Sequence, residues 1–415
     1  MHPFHAELLE QFKQAIAPPD GPRKGRVRIC VICGAGHGDH MRGIAIARCA
    51  KAAWKDTHVT AVLHFNGCMT EWDIGYSAVQ AGAIDRFAVV HMPVRELAIP
   101  EATALFDVTI DAVPYPVAVH YNLDSPALGT VAWKAQVAAE QRLSQFRVLH
   151  DMHPYGYNAL RLKPMTQWDI ARATSGLPVS EDDMLAPTEA APDPSETELV
   201  RLALGTHPES LLGNIRDRTP RNPMESLIGT PRYVVVHNAA GGMGKTKCAN
   251  PDMFKAIRAR LIADGIACVQ VGCPDDERIP ETIDRRGLRV PFTCGLVKGS
   301  LGVVAVEGFL PYLGVALRKP TVVLFGPTPH ETFAFAPTRA LSLVKLMVKE
   351  LGGNLREERT PCPLGSCFWR TERWAARCPL DADNPCNPYC MNFWDPDPAA
   401  QIVARYITEH EGGVA

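Results

Sequence analysis

The feature that most constrains the fold is an alternation of short apolar runs with helix-like segments, which occurs twice along the 415 residues. The first set comprises VRICVIC (27–33), VTAVLHF (59–65), FAVVHM (87–92) and FDVTIDAVP (106–114). The second begins with YVVVH at Tyr233 and continues through ACVQVG, SLGVVAV and TVVLFG. Strands that alternate with helices form βαβ units with parallel strands. The sequence therefore predicts two α/β domains, each built on a parallel sheet.

The two sets also indicate the domain boundaries. We expect an N-terminal extension over 1–26, a first α/β domain over 27–230 and a second over 231–350, then a cysteine-rich segment over 351–395 and a C-terminal helix over 396–415. The middle of the first domain, 116–230, has little periodicity apart from a helix near MTQWDIARATSG. The stretch APTEAAPDPSETE (186–198) has the composition of a surface loop.

Charge and hydropathy exclude several kinds of partner. The net charge of −2 creates no global field that would attract nucleic acid or an anionic lipid surface. The N-terminal residues lack the apolar core of a signal peptide, and no apolar run approaches the ~20 residues that span a bilayer. We therefore expect a cytoplasmic protein with no membrane span and no nucleic-acid partner.

Eight of the thirteen cysteines lie singly or in apolar strands, where cysteine is usually a small buried hydrophobe. Cys30 and Cys33 form a CxxC, a spacing that also occurs in redox and metal sites. Within a strand, however, these two positions face opposite sides of the sheet. We interpret both as structural residues.

The other five cysteines are clustered near the C-terminus, at Cys362, Cys367, Cys378, Cys386 and Cys390. The surrounding sequence is rich in Pro, Asn and Asp and cannot build a regular core of its own. Small segments of this kind need a disulfide or a metal, and a reducing compartment favours the metal. Four thiolates suit zinc or iron. The alternative is a set of free or partly disulfide-bonded surface cysteines.

Two acidic positions in the first domain are candidate proton acceptors. In the loop GAGHGDHMRG after the first strand, Asp39 stands where a dinucleotide fingerprint needs glycine, so NAD binding is not expected. Asp39 is either an ordinary helix cap or an ionised acid that accepts a proton. In FDVTIDAVP, Asp107 and Asp111 share one face of the strand, so Asp111 is either a strand-end turn residue or a second candidate base.

The loop GGMGKT after the second domain's first strand resembles a P-loop. Ala239 and Ala240 stand where the standard and the deviant P-loop patterns need glycine and lysine. Asn250-Pro251 also interrupts the long helix that a P-loop requires. Two Asp-x-Asp triplets, Asp381-Ala382-Asp383 and Asp395-Pro396-Asp397, lie in loops and are interpreted as turn residues.

One segment carries a family resemblance. From Val306 the sequence reads VEGFLPYLGVALRKPTVVLFGPTPHET: Glu307-Gly308 opens a helix-like segment, TVVLF is a buried strand, and Gly326-Pro327-Thr328 follows it. This order resembles the donor-binding stretch of the heptosyltransferases, glycosyltransferase family 9, in which an acidic residue and a glycine open a helix and LFGPT closes the next strand. The preceding loop and helix, AAGGMGKTKCANPDMFKAI, are similar to the same family.

The resemblance implies a GT-B fold, in which two Rossmann-like domains face each other across the active-site cleft and the last helix folds back on the N-terminal half. It implies Asp39 or Asp111 as the catalytic base. A lysine on the leaving diphosphate would make a catalytic divalent metal unnecessary. The implied donor-binding residues lie in the two glycine-rich segments of the second domain: Gly242, Lys245, Thr246, Lys247, Glu307, Gly308, Gly326, Pro327 and Thr328.

The cysteine cluster is similar to the iron finger of the autotransporter-modifying branch of this family. That similarity selects Cys362, Cys367, Cys378 and Cys390 as ligands of one structural iron or zinc and leaves out Cys386. It also implies that homo-oligomers are possible.

Together these features predict a glycosyltransferase that moves a sugar, heptose from ADP-heptose, to a hydroxyl of a protein or glycan acceptor. This chain has Tyr312 where family members usually carry a histidine. It has Glu307 where the lipopolysaccharide enzymes of the family have Asp, and Glu is expected in the protein-modifying branch. Both positions bear on the identity of the donor sugar. The alternatives are an ATP-binding or ATPase protein that uses GGMGKT, and a non-catalytic relative that binds nucleotide sugar.

Overall fold

A computed structural model describes residues 3–18, 26–34, 36–91, 93, 95–112, 116–151, 165–191, 232–240, 247–249, 251–343 and 396–411. The contacts divide the chain into two units. Unit 1 comprises Met1–His150, Gln167–Thr219 and Arg289–Pro291, and unit 2 comprises Asp151–Thr166, Pro220–Leu288 and Phe292–Ala415.

Unit 1 alternates helices and strands along most of its length. Its elements are α1 (Pro3–Ile16), β1 (Val27–Ile32), α2 (His37–Ala53), β2 (Thr57–His64), α3 (Thr70–Gln80), β3 (Arg86–Val90), α4 (Arg95–Leu105), β4 (Val108–Asp111), β5 (Ala118–Tyr121), α5 (Val131–Asp151) and α6 (Gln167–Ser175). The strand order is β3-β2-β1-β4-β5, and only β5 runs antiparallel to its neighbour. The central strands are buried and rich in β-branched residues, as expected when helices cover a parallel sheet.

Helix α1 belongs to the core of unit 1. Its apolar residues Leu9, Phe12 and Ile16 recur at helical spacing and are buried against β1, β2, β3 and α4. The segment 1–26, which the sequence suggested as an extension, thus contributes a packed helix to this unit.

Unit 2 repeats the alternation. Its elements are β6 (Tyr233–His237), α7 (Pro251–Ala263), β7 (Ala267–Gln270), β8 (Ile283–Asp284), α8 (Val290–Gly299), β9 (Gly302–Val306), α9 (Phe309–Ala316), β10 (Thr321–Leu324), α10 (His330–Phe333), β11 (Ala340–Ser342) and α11 (Pro396–Glu409). The six strands are all parallel, in the order β11-β10-β9-β6-β7-β8. The prediction of two α/β domains on parallel sheets is confirmed.

The C-terminal helix completes the core of unit 2. The apolar face of α11, which includes Val403 and Ile407, is buried with Phe254 and Leu261 of α7 and with residues of β6, β9 and β10. The expectation that this helix folds back on the N-terminal half is wrong, because the apolar stripe that defines the helix is buried in the second unit's core.

Three regions named in the sequence analysis lie outside the described residues: the loop 241–246, most of the connector after 191, and the cysteine-rich segment 351–395. Of the helices that the structure describes, none combines the length and the apolar character needed to cross a membrane.

Candidate functional site

The carboxyl edge of the unit 2 sheet brings together three of the predicted donor-binding residues. Glu307 follows β9, Thr328 follows β10 and Lys247 follows β6. The ammonium of Lys247 forms an ion pair with Glu307 Oε2, and the hydroxyl of Thr328 donates a hydrogen bond to the same oxygen over 3.3 Å. The side chains of Lys247 and Glu307 are only 18% and 11% exposed. Strands β6, β9 and β10 are adjacent, so residues far apart in sequence meet at this edge.

The backbone around this ion pair is held by the sheet. The N–H of Glu307 donates to the carbonyl of Leu324 over 3.1 Å, which fixes the end of β9 against the end of β10. Gly308 is the N-cap of α9, and Pro327 and Thr328 are buried while Gly326 is partly exposed. A lysine beside a helix N-terminus favours an anion, and ligands in open α/β sheets bind at the carboxyl ends of the strands.

A polar network that the sequence analysis did not identify lies at the same edge, after β6 and β7. His237 Nε2 is 3.0 Å from Asp276 Oδ2, which also accepts the N–H of Cys273 over 2.6 Å. The buried side chain of Gln270 accepts the N–H of Ile279 over 2.8 Å and donates to the carbonyl of Glu277 over 2.8 Å. These bonds fix the loop that follows β7.

Gly272 lets this network form. Its φ of +135° is rare for other residues, and a Cβ there would lie 2.3 Å from Asp276 Oδ2 and 2.7 Å from the ring of His237. The glycine therefore permits the close approach of His237 and Asp276.

In unit 1, Asp39 lies in the first turn of α2, at the carboxyl edge of the sheet. Its Oδ2 accepts the N–H of Gly36 over 3.2 Å, so it caps the helix, and the side chain is partly exposed. The glycine at position 34 is required for this placement of the Asp39 side chain, because a Cβ at Gly34 would lie 2.4 Å from Asp39 Cβ. The N-cap itself is Gly36, and Asp39 is the third residue of the helix, where its side chain accepts the N-cap N–H as in a capping box. The N-cap position expected for Asp39 is thus wrong by three residues, although the residue does cap the helix.

Asp111, the other candidate base, is the last residue of β4 and is fully buried. It lies opposite Ile32 of β1 and Ala118 of β5, so it too is at the carboxyl edge of the sheet. Asp107, at the other end of the strand, accepts the N–H of Arg28 over 2.6 Å and the hydroxyl of Ser125. Asp107 therefore ties strands and loops together at the opposite edge.

A second cluster at this edge was missed by the sequence analysis. His37 begins α2, and Cys68 and Glu71 lie just before and within the first turn of α3. His37 Nε2 is 3.0 Å from Glu71 Oε1 and 3.4 Å from Cys68 Sγ, and Cys68 Sγ is 3.4 Å from Glu71 Oε2. Burial opposes a charge on the ring, but the hydrogen bonds with Cys68 and Glu71 outweigh it and raise the pKa of His37 to about 10. The cluster thus favours a positive charge among its three groups.

Three further histidines lie at this edge, at His40, His64 and His91. His40 is fully buried, its ring centroid is 5.8 Å from that of His37, and burial lowers its pKa to about 3. Burial also lowers the pKa values of His64 and His91, whose rings are 6.3 Å apart. These imidazoles are neutral at physiological pH. Cys30 and Cys33 are buried free thiols whose pKa values burial raises, in agreement with the structural role expected for them.

The remaining predicted site residues lie outside the described part of the chain. These are Gly242, Lys245 and Thr246 in the loop after β6 and the proposed metal ligands Cys362, Cys367, Cys378 and Cys390. Their roles remain predictions.

Structural comparison finds solved glycosyltransferases to which this chain is similar. A family 9 glycosyltransferase from Veillonella parvula is 12% identical, with a TM-score of 0.45 over 94% of this chain and 100% of that one. The dodecameric iron-containing heptosyltransferase TibC, in complex with ADP-D-β-D-heptose, is 12% identical, with a TM-score of 0.49 over 93% and 77%. The E. coli ADP-heptose lipopolysaccharide heptosyltransferase II is 15% identical, with a TM-score of 0.39 over 75% and 89%.

No protein-family model matches the sequence, and a search of curated proteins finds no match. At the identities and TM-scores of the solved structures, an assignment of function depends on the residues of the site itself.

Proposed function

We propose that this protein is a glycosyltransferase that moves a sugar from a nucleotide-diphosphate donor, ADP-heptose, to a hydroxyl of a protein or glycan acceptor. The observation that carries the proposal is the convergence of Lys247, Glu307 and Thr328 at the carboxyl edge of the unit 2 sheet. Glu307 and Thr328 belong to one segment and Lys247 to another, and both segments resemble donor-binding sequences of family 9. The three side chains contact one another at the sheet edge where ligands of open α/β sheets bind.

The ion pair indicates how the donor is held. While no donor is bound, Glu307 neutralises the charge of Lys247. The diphosphate of a donor offers two or more oxygens to the ammonium and would compete with Glu307 for it. Once Lys247 turns to the phosphates, Glu307 is free to accept hydrogen bonds from ribose or sugar hydroxyls. The N–H groups of Gly308 and of the loop Gly326-Pro327-Thr328 complete this side of the site.

Transfer also requires stabilisation of the leaving group. The departing nucleoside diphosphate gains negative charge in the transition state, and a fixed cation beside it lowers the barrier. Lys247 supplies that cation from unit 2, assisted by Lys245, Thr246 and the backbone of Gly242 in the same loop. In this scheme, leaving-group stabilisation comes from protein groups.

The acceptor hydroxyl must lose a proton, and we assign that role to Asp39 or Asp111. Partial exposure and the nearby N-terminus of α2 support Asp39, because an ionised acid must reach a hydroxyl that arrives from solvent. Asp111 lies at the same sheet edge but is fully buried.

We further propose that Cys362, Cys367, Cys378 and Cys390 hold one structural iron or zinc and that the protein can form homo-oligomers. The supporting observations are the spacing of the cysteines and their likeness to the iron finger of the autotransporter-modifying branch. TibC is itself described as iron-containing and dodecameric.

The decisive experiment separates sugar transfer from ATP hydrolysis by the loop 241–246. The full chain is incubated with ADP-heptose and, separately, with ATP, in the presence of protein and glycan acceptors, and released ADP and phosphate are measured. We expect acceptor-dependent release of ADP from ADP-heptose. Phosphate release from ATP without sugar transfer would refute the proposal and support the ATPase alternative. Tight binding of ADP-heptose without turnover on any acceptor would support the non-catalytic alternative.

A further inference from the structure

The cluster of His37, Cys68 and Glu71 has the composition of a metal site. A histidine nitrogen, a thiol sulfur and a carboxylate oxygen are the three protein ligand types that zinc takes. The three donor atoms lie within 4.8 Å of one another. They come from the start of α2, from the loop after β2 and from the first turn of α3, so His37 and Glu71 are fixed by helices and Cys68 lies two residues before α3.

The spacing of these atoms matches tetrahedral zinc. Bonds of about 2.3 Å to sulfur and about 2.0–2.1 Å to nitrogen and oxygen, at tetrahedral angles, separate the donor atoms by about 3.3–3.6 Å. The observed separations are 3.4 Å for Cys68 Sγ to His37 Nε2, 3.7 Å for Cys68 Sγ to Glu71 Oε1 and 3.0 Å for His37 Nε2 to the same Oε1. An ion would fit with shifts of a few tenths of an ångström.

The geometry also distinguishes this site from a catalytic Cys-His-acid triad. In a triad, the thiol and the acid contact different nitrogens of the imidazole. Here both Cys68 Sγ and Glu71 Oε1 approach the same atom, Nε2 of His37. Three groups that converge on one point suit a cation placed between them.

The surroundings orient the carboxylate ligand. Glu71 lies in the first turn of α3, where the helix N-terminus favours a negative charge. Zinc would displace the ring proton of His37 and the thiol proton of Cys68 on binding. The N–H of Asn66 donates to Glu71 Oε1 over 2.9 Å and orients the carboxylate, as outer-shell partners do in metal sites. A thiolate, a carboxylate and a neutral imidazole carry a charge of −2, which a divalent cation balances.

We infer that His37, Cys68 and Glu71 bind one zinc ion in unit 1, separate from the cysteine-rich segment, with a fourth position open to water or another oxygen ligand. Glu71 is fully buried and Cys68 is 7% exposed, whereas the side chain of His37 is 26% exposed and marks the side open to solvent. Three protein ligands with one open position are typical of zinc sites that act on a bound oxygen. The inference does not depend on the proposed function.

The test is a difference in zinc content between matched variants of the full chain, purified without an affinity metal and equilibrated with zinc. We expect the wild type to hold one equivalent more than His37→Gln and Cys68→Ser. Cys49→Ser is the control, because Cys49 is 6% exposed in the same unit and belongs to no such cluster among the residues that the structure describes. The Cys49→Ser variant should bind as much zinc as the wild type. The difference is unaffected by any metal in the cysteine-rich segment, which all four proteins share.

Circular dichroism checks that each variant is folded. Because His37 is the most exposed of the three residues, His37→Gln is the variant that tests the site if Cys68→Ser does not fold. Cobalt titration of the wild type provides a readout without any substitution, and a site with one thiolate should give a weaker charge-transfer band than a four-thiolate site. Equal zinc content in the wild type and His37→Gln would overturn the inference and leave the cluster as a hydrogen-bonded ion pair.

Discussion

Lys247 and Glu307 form a largely buried ion pair although one follows β6 and the other follows β9. When no donor is bound, each residue neutralises the charge of the other. When the donor binds, we expect Lys247 to contact the diphosphate and Glu307 to contact ribose or sugar hydroxyls. Substituting the two residues should therefore affect nucleotide binding in different ways.

Lys247→Ala should weaken ADP binding by about 1–3 kcal/mol, because charged hydrogen bonds to the diphosphate are lost. Titration calorimetry with ADP measures this directly. Lys255→Ala is the control: Lys255 is 52% exposed on α7 and pairs only weakly with exposed Asp252, so ADP affinity should not change. If Lys247→Ala bound ADP as well as the control does, Lys247 would not contact the phosphates.

Glu307→Gln should affect donor turnover more than ADP binding, the reverse of Lys247→Ala. It removes the charge that neutralises Lys247, so ADP should bind equally well or more tightly, while kcat/KM for the sugar donor falls because the amide is a poorer hydrogen-bond acceptor for hydroxyls. Donor kinetics and ADP calorimetry on one preparation test both effects. A parallel loss of ADP affinity would contradict this prediction and show that Glu307 contributes to ADP binding, either by holding Lys247 in place or by contacting the ribose.

The catalytic base is tested by replacing each candidate with asparagine. We expect a loss of about 10²–10⁴ in kcat at one of Asp39 and Asp111, with donor affinity preserved, since a general base contributes about that much. Thermal unfolding of both variants separates catalysis from stability: Asp39 caps α2 and Asp111 is fully buried, so either change can also lower Tm. Near-wild-type kcat in both variants would exclude both residues.

Acid stability should depend on Asp284 in β8. Its carboxylate accepts hydrogen bonds from the Arg286 guanidinium over 2.8 and 2.9 Å, and these bonds lower the pKa of Asp284 to about 2. Since the pKa in the unfolded chain is about 4, the stabilisation is present above that pH and is lost as the pH falls from about 4 to about 2. Asp284→Asn should therefore lower Tm at pH 7 and flatten its decrease over that range.

The exposed pair of Asp252 and Lys255 provides the control for this experiment. Asp252→Asn removes a carboxylate that is 67% exposed, and surface pairs contribute little to stability. Its Tm should follow the wild type at every pH. An Asp284→Asn profile that overlays the wild type would show that the bonds to Arg286 do not contribute to stability.

The sequence predicts the elements of the fold that have a pattern of apolar residues in their own segment. The strands of both sheets follow from β-branched apolar runs, and Glu307 and Thr328 could be placed at one sheet edge because each directly follows a strand. Strand β5 is short and antiparallel and carries no comparable run. The apolar stripe of α11 shows that the helix is buried but does not specify which core buries it.

The zinc cluster illustrates what the sequence could not supply. His37, Cys68 and Glu71 lie after two neighbouring strands, and no fixed spacing joins them. Only Cys68 and Glu71 are close in sequence. Their spacing of three residues is common at the start of a helix and therefore does not indicate a metal site. Their meeting depends on the pairing of β1 with β2 and on the start of two helices, which is tertiary information.

The most direct test of the proposed donor site is the structure of the full chain bound to ADP. We predict that the diphosphate oxygens lie within ion-pair distance, about 4 Å, of Lys247 Nζ. We also predict that the Lys247–Glu307 contact is broken and that Glu307 faces the ribose or the position of the sugar. ADP bound elsewhere, with Lys247 still paired to Glu307, would contradict both predictions.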